Sequence, residues 1–331
     1  MACCRSDAKS LIIISVQVDE DSTLRMIRAF TQSEIDAGNI RIEDRVLEVD
    51  EMELRRPVRY FWSIQDFVQG LRGALLGHLY LVEINILHRD VSENNVVLAC
   101  SPYQPRGAII DFDMAIRYEE PGELLKSLPT NRARMFDAAS RETSEMSQRG
   151  VFKAERTGTT PYMAINVLNA IEHTHYDDVE SFFYVLLLFF FSYNGPLPKD
   201  ELKDAHDRGF TQVLGSGCAK NARDWPAMFL RWSTSMTDAA QSKFMLLSRT
   251  QSVMFVEGMI QELRNIWGPS YMAVGALVGA FLDLFQDRPL DNRVTHKQFI
   301  EVLDQWLKDF SKPVDGYNSC PFSDGAGGQL V

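Results

Sequence analysis

The sequence predicts an α+β chain in which a mostly helical C-terminal region follows a short, strand-bearing N-terminal one. Three observations carry this. Strand-like runs, LIIISVQV (11–18), VVLA (96–99) and AII (108–110), are confined to the first third of the chain. A helical apolar period begins at Ser63, and past residue 196 the chain reads as helix throughout. Between these lies FFYVLLLFFF (182–191), far short of the about 20 apolar residues a bilayer span needs, and its position marks it as a helix buried mid-domain.

Taken in order, residues 11–18 read as a strand, residues 22–36 as a helix capped by Ser22 or Thr23, and RIEDRVLEV (41–49) as an alternating strand. Ser63 and Asp66 then form a partial capping box. Ile64, Phe67, Val68, Leu71, Leu75, Leu79 and Val82 recur at helical spacing behind it. That stripe is core, and its use is to brace the loop that follows. Further helices are expected near 201–209, 225–247, 251–266, 270–285 and 295–309, the last capped by Thr295. Trp225, Trp232, Trp267 and Trp306 read as packing residues on them. The tail from 312 onward reads as disordered, and no internal repeat is visible.

The 331 residues, 45% of them hydrophobic, allow one large domain or two modest ones. A net charge of −11 makes nucleic acid and anionic membrane poor candidates, and neither is expected as a partner. Cys3, Cys4, Cys100, Cys218 and Cys320 show no CxxC spacing, which argues against a zinc site or a disulfide framework and for a reducing compartment. Residues 11–18 run into DED without a small-residue cleavage pattern, so no secretory signal is read there. The expected location is cytoplasmic or nuclear, not secreted.

The chemistry is concentrated in His88-Arg89-Asp90, in Asn95 five residues past Asp90, and in Asp111-Phe112-Asp113, which follows two apolar runs joined by SPYQPRG. This is the layout of a phosphoryl-transfer site. One carboxylate, Asp90, orients the attacking hydroxyl, while Asn95 and Asp111 hold the magnesium that neutralises phosphates. An HRD triplet alone arises often by chance. HRDxxxxN followed by an apolar-apolar-Asp-Phe-Asp run is far more specific.

These motifs, with Ser92 in HRDVS, the DFD at 111–113 and HxxYDDVES at 173–181, resemble the protein-kinase superfamily and in particular the fungal-type protein kinase domain family, over roughly residues 40–310. The resemblance implies a protein-kinase-like fold. Residues 1–60 would be an incomplete N-lobe remnant and hinge, 61–310 a kinase-like C-lobe, and 311–331 a disordered tail. The C-lobe would hold a catalytic loop (86–99), an activation segment (111–166) whose polar middle, 117–155, is poorly ordered, and a central helix (178–193). ATP and magnesium are the implied cofactors, a protein is the implied substrate, and Ser/Thr hydroxyls are the implied acceptors.

Residue by residue, the resemblance makes Asp90 and Asn95 catalytic, and Asn95 and Asp111 ligands to metal and cofactor. Asp113 stands where protein kinases carry Gly and is a candidate ligand to a second metal. His88 would be a packed structural histidine. Arg89 would pair with a phosphorylated residue or serve structurally. Ser92 stands where a Lys often touches the transferred phosphate. In RTGTTPYMAIN, Gly158, Thr159, Tyr162 and Ala164 match GTxxYxAPE, which implies a bond from Thr159 to Asp90. Ile165 and Asn166 replace Pro and Glu, removing a carboxylate that normally pairs with an Arg lower in the lobe. Asp178 matches the acid that opens the central helix and accepts backbone N–H bonds from the catalytic loop; a plain helix cap is the alternative. His173 and His175 show no third metal ligand at good spacing and read as surface or packing residues.

A kinase also needs a Gly-rich loop over the phosphates and a strand Lys held by a helix Glu. Before Asp90 the only lysine is Lys9, and Gly38, Gly70, Gly73 and Gly77 form no GxGxxG. The chain thus reads as a truncated gene or a degenerate kinase. Three functions stay open: a fungal-type Ser/Thr protein kinase, a catalytically inactive kinase-like scaffold, and a small-molecule phosphotransferase. The GTxxYMA segment favours the first over the third; the missing Lys and Gly loop favour the second over the first. Weak Mg-ATP binding and slow or absent transfer are expected.

Overall fold

A computed structural model describes residues 12–18, 24–30, 54–100, 106–117, 158–210, 221–289 and 292–310. The chain divides into two compact units, Met1–Glu53 and Leu54–Val331. In the first, β1 (Ile12–Val18) and β2 (Leu24–Phe30) pair antiparallel, from Val18 opposite Leu24 to Ile12 opposite Phe30, with the register shifting around Ser15. The helix expected over 22–36 is therefore a strand over 24–30. A lone strand leaves its N–H and C=O groups unpaired. Pairing with a second strand satisfies them, and this outweighs the helix propensity of Leu, Arg and Met. The strand expected at 41–49 lies outside the described residues.

In the second unit β3 (Arg55–Pro57), β5 (Val96–Ala99) and β6 (Gly107–Ile109) form an antiparallel sheet in the order β3-β5-β6, and β4 (Ile86–Leu87) pairs with β7 (Ile116–Arg117). Helix α1 (Ile64–Glu83) starts where the Ser63 hydroxyl accepts the Asp66 N–H at 3.1 Å. It lies against β5 and β6. A Cβ on Gly107 would stand 1.8 Å from the Gly70 carbonyl oxygen, and one on Gly73 would stand 2.7 Å from the Gly107 nitrogen. Gly70 and Gly73 thus serve the close approach of helix to strand. Buried Arg56 ties β3 to the start of α1 through a two-pronged bond to Asp66, at 2.8 and 2.9 Å.

Two further helices complete the middle of this unit: the single turn α2 (Ile165–Leu168) and α3 (His175–Ser192). Thr174 caps α3, with Asp177 closing the capping box. Every α3 residue except Tyr176 is buried. An all-round apolar helix has no solvent face to offer, so it becomes the post around which the others pack. These are α4 (Lys199–Asp207), α5 (Ala227–Leu230), α6 (Met236–Leu247), α7 (Val253–Trp267), α8 (Tyr271–Phe285) and α9 (His296–Asp309). The core joins α1, α3, α7, α8 and α9, with Phe67 stacked on Phe189 and the Trp267 indole N–H donating to the Phe190 carbonyl at 2.8 Å.

The helix expected over 225–247 is broken. A 3-10 turn at Arg231–Ser233 intervenes, and the Ser235 hydroxyl accepts the Asp238 N–H to start α6 afresh. Thr295 caps α9 together with Gln298. Trp232, Trp267 and Trp306 are buried. Of the five cysteines only Cys100 lies among the described residues, where it is buried and unbridged. Most of 117–155 and the tail from 312 lie outside them.

The helix–sheet contact has a direct test. Gly107→Ala drives a methyl into backbone and is expected to cost about 1–3 kcal/mol in urea unfolding. Gly77→Ala, whose Cβ meets only Ile109 at 3.9 Å, should be neutral or stabilising by under about 1 kcal/mol. Equal urea midpoints for the two variants would refute the close approach.

Candidate active site

β4 delivers His88 and Asp90, a 3-10 turn carries Glu93–Asn95, and β5 leads away. The strand pair then brings the chain back. The Ile110 N–H donates to the Asn95 carbonyl at 2.9 Å, so Asp111 leaves the ladder beside the Asn95 end of the loop. The buried His88 ring joins these two arms. Its Nε2 donates to the Ile110 carbonyl at 3.1 Å, and its Nδ1 accepts the Asp90 N–H at 3.3 Å. Burial, opposed by Asp178, pulls the His88 pKa below its usual value, and the neutral ring is the form these bonds require. Phe112 packs edge-on against His88.

Asp90 is held at both carboxylate oxygens. Asn95 Nδ2 donates to the Asp90 carbonyl at 2.8 Å and to Oδ2 at 3.3 Å. The N–H and hydroxyl of Thr159 both donate to Oδ1, at 3.0 and 3.3 Å. Gly158 makes that approach possible: its φ is +116°, and a Cβ there would crowd the Arg89 carbonyl at 3.1 Å. Arg89 and Asp111 also hold left-handed φ values, 70° and 68°. For residues with a Cβ this costs about 1–3 kcal/mol each and persists only where surrounding bonds over-determine it.

At Arg89 that constraint is Asp178. Its fully buried carboxylate accepts the Arg89 N–H at 3.2 Å, His78 Nε2 at 2.9 Å and His173 Nε2 at 2.8 Å. Burial alone would raise the Asp178 pKa, but His173 and His78 beside it hold it far below the carboxylate range. His78 Nδ1 meets His296 Nε2 at 2.7 Å, and burial with His78 alongside pushes His296 down to about 2. His173 is thus an Asp178 partner, and His175 is buried beside His296.

Two more carboxylates tie the 158–168 segment down. Glu93 accepts the hydroxyls of Tyr193 and Tyr162, joining the catalytic loop to the end of α3 and to that segment. Burial raises Glu93, an effect opposed by those two hydroxyls. Glu180 accepts the Ile165 N–H at 2.8 Å and the Tyr184 hydroxyl at 2.8 Å. Arg293, just ahead of α9, donates to Asp177 at 2.7 Å and Glu180 at 3.3 Å. The carboxylate absent at Asn166 is therefore supplied from α3. Sequence reading did not single out His78, Glu93, Glu180, Lys243 or Arg293. The one signal pointing to Glu180 and His78 is a polar residue inside an otherwise apolar helical run.

Asn95 commits its amide nitrogen to Asp90, which leaves its amide oxygen as an acceptor. Asp111 and Asp113 are exposed, and Asp111 Oδ1 takes the Asp113 N–H at 3.4 Å. Among the described residues no group of three or more His, Cys, Asp or Glu is placed to hold a metal. Two hard oxygen donors, one amide and one carboxylate, fit magnesium whose remaining ligands are phosphates and water. Ser92 is buried and supplies no cation.

Compared with known protein families, residues 39–190 match the family model described as fungal protein kinase. This bears out the resemblance read from the motifs and makes this stretch kinase-like. The match holds Asp90, Asn95, Asp111, Thr159 and Asp178; Lys243 and Arg293 lie beyond it.

The buried histidines set a pH dependence. His296 stays neutral in the fold and His88 protonates less readily there than when unfolded, whereas each takes up a proton near pH 6.5 in the unfolded chain. As pH falls below about 6.5 the unfolded state binds more protons, so stability falls by up to about 1.4 kcal/mol per pH unit for each group. Denaturant unfolding at pH 7.5, 6.5 and 5.5 should show this decline, and His296→Asn should lessen it. Constant stability across the range would contradict neutral burial.

Proposed function

We propose that this chain is a protein-kinase-like phosphotransferase of the fungal type that moves the γ-phosphate of ATP to Ser or Thr hydroxyls of proteins. Residues 61–310 act as its C-lobe and residues 1–60 as a short N-lobe remnant and hinge. The observation that carries the reading is the pair of hydrogen bonds that Thr159 donates to Asp90, with Asn95 on the same carboxylate.

Asp90 orients the acceptor hydroxyl and takes its proton at a carboxylate oxygen. Thr159 holds Oδ1 in place and shapes the acceptor side for a Ser or Thr. Asn95 and Asp111 would hold magnesium, and Asp113, in the same Asp-Phe-Asp run as Asp111, is the candidate for a second ion. Bound Mg-ATP supplies the transferable phosphoryl group and the cations that neutralise its charge. Positioning and charge neutralisation account for nearly all of this catalysis, so every missing cation is felt as rate. Ser92 brings no charge near the transferred group. Turnover is accordingly expected to be slow. That same observation favours the second reading, a kinase-like binding scaffold without transfer.

Purified protein incubated with radiolabelled Mg-ATP and a Ser/Thr protein substrate separates the two. Slow incorporation that falls at least about tenfold in Asp90→Ala and in Asp111→Ala is expected. No incorporation above those variants, with no nucleotide binding, would overturn the enzyme reading in favour of the scaffold.

A further inference from the structure

Lys243 of α6 is wholly buried, an expensive place for an ammonium unless it is fully partnered. It donates to the Met163 carbonyl at 2.6 Å and reaches the Thr160 carbonyl at 3.5 Å. It also lies over the faces of Tyr184, at 4.0 Å, and Trp232, at 4.9 Å. Burial pulls its pKa well below the lysine range, and the Glu180 carboxylate opposes that pull.

Lys243 and Glu180 grip one turn through opposite backbone groups. The turn closes through the Tyr162 N–H on the Thr159 carbonyl, 2.8 Å, and the Met163 N–H on the Thr160 carbonyl, 3.3 Å. Lys243 takes its carbonyls and Glu180 takes the N–H of Ile165 where α2 begins. At the other end of the turn, Thr159 donates twice to Asp90. A carbonyl held by the Lys243 amine and an N–H held by a Glu180 carboxyl oxygen fix both the height and the tilt of the segment.

We propose that Lys243 and Glu180 form a buried polar clamp that seats residues 159–165 and, through Thr159, sets the orientation of the Asp90 carboxylate. Both are positioning residues. Their effect on an acceptor rests on the phosphotransferase reading; the seating of Thr159 does not. Glu180 stands on α3, inside the stretch that matches the kinase family, and Lys243 is supplied by α6, beyond it.

The test is amide hydrogen exchange on the full chain, wild type beside Lys243→Met and Glu180→Gln. Exchange across 159–165 should accelerate at least about tenfold in both variants, while the α3 amides at 182–190 keep their protection. Where transfer is measurable, the KM for the acceptor should rise and the KM for ATP stay unchanged. Unchanged protection at Thr159, or equal loosening of α3, would overturn the clamp. If Lys243→Met fails to fold, Glu180→Gln decides by the same criterion. A wild type that transfers no phosphate defeats the enzyme reading alone, since the exchange result still decides the clamp.

Discussion

The candidate site depends on one buried carboxylate. Asp178 stands at the start of α3, where the helix end favours a negative charge, and it spends that charge on the backbone of Arg89 and on two histidine rings. The loop carrying Asp90 is thereby referred to a helix buried along nearly its whole length. Arg89 keeps a left-handed backbone because Asp178 receives its N–H. Without that acceptor the loop has no reason to hold the turn that presents Asp90 and Asn95 together.

The first two turns of α3 distribute this kind of constraint to three separate segments. Asp177 closes the helix cap and binds Arg293 from the approach to α9. Asp178 takes the catalytic loop. Glu180 takes the 158–168 segment and shares Arg293. Three carboxylates so close together in low dielectric would repel one another, and Arg293, His78 and His173 offset that repulsion while each also bonds a specific acid. The greasy run behind them then packs without any polar group left to satisfy along its length.

Much of the site was legible because its residues come in short, ordered motifs. HRDxxxxN, DFD and GTxxY are local patterns, and the structure brings Asp90, Asn95, Thr159, Arg89 and Asp178 into the contacts described above. The partners that come from far along the chain were not legible. His78 meets His296 across 218 residues and Lys243 meets Met163 across 80, distances at which periodicity carries no information. The missing acid at 166 looked like a lost anchor because its replacement, Glu180, stands on a different element. Local propensity also misread 24–30, where pairing to β1 decided the outcome, and it ran α5 and α6 together because the Ser235 cap was not weighed.

The central proposal is that Asn95 and Asp111 form one magnesium-nucleotide site beside Asp90. Manganese titration followed by electron paramagnetic resonance, with and without a non-hydrolysable ATP analogue, tests it most directly. Nucleotide-dependent manganese binding that weakens at least about tenfold in both Asn95→Ala and Asp111→Ala is the expected result. Manganese binding that is unaffected by either substitution, or that ignores the nucleotide, would contradict it.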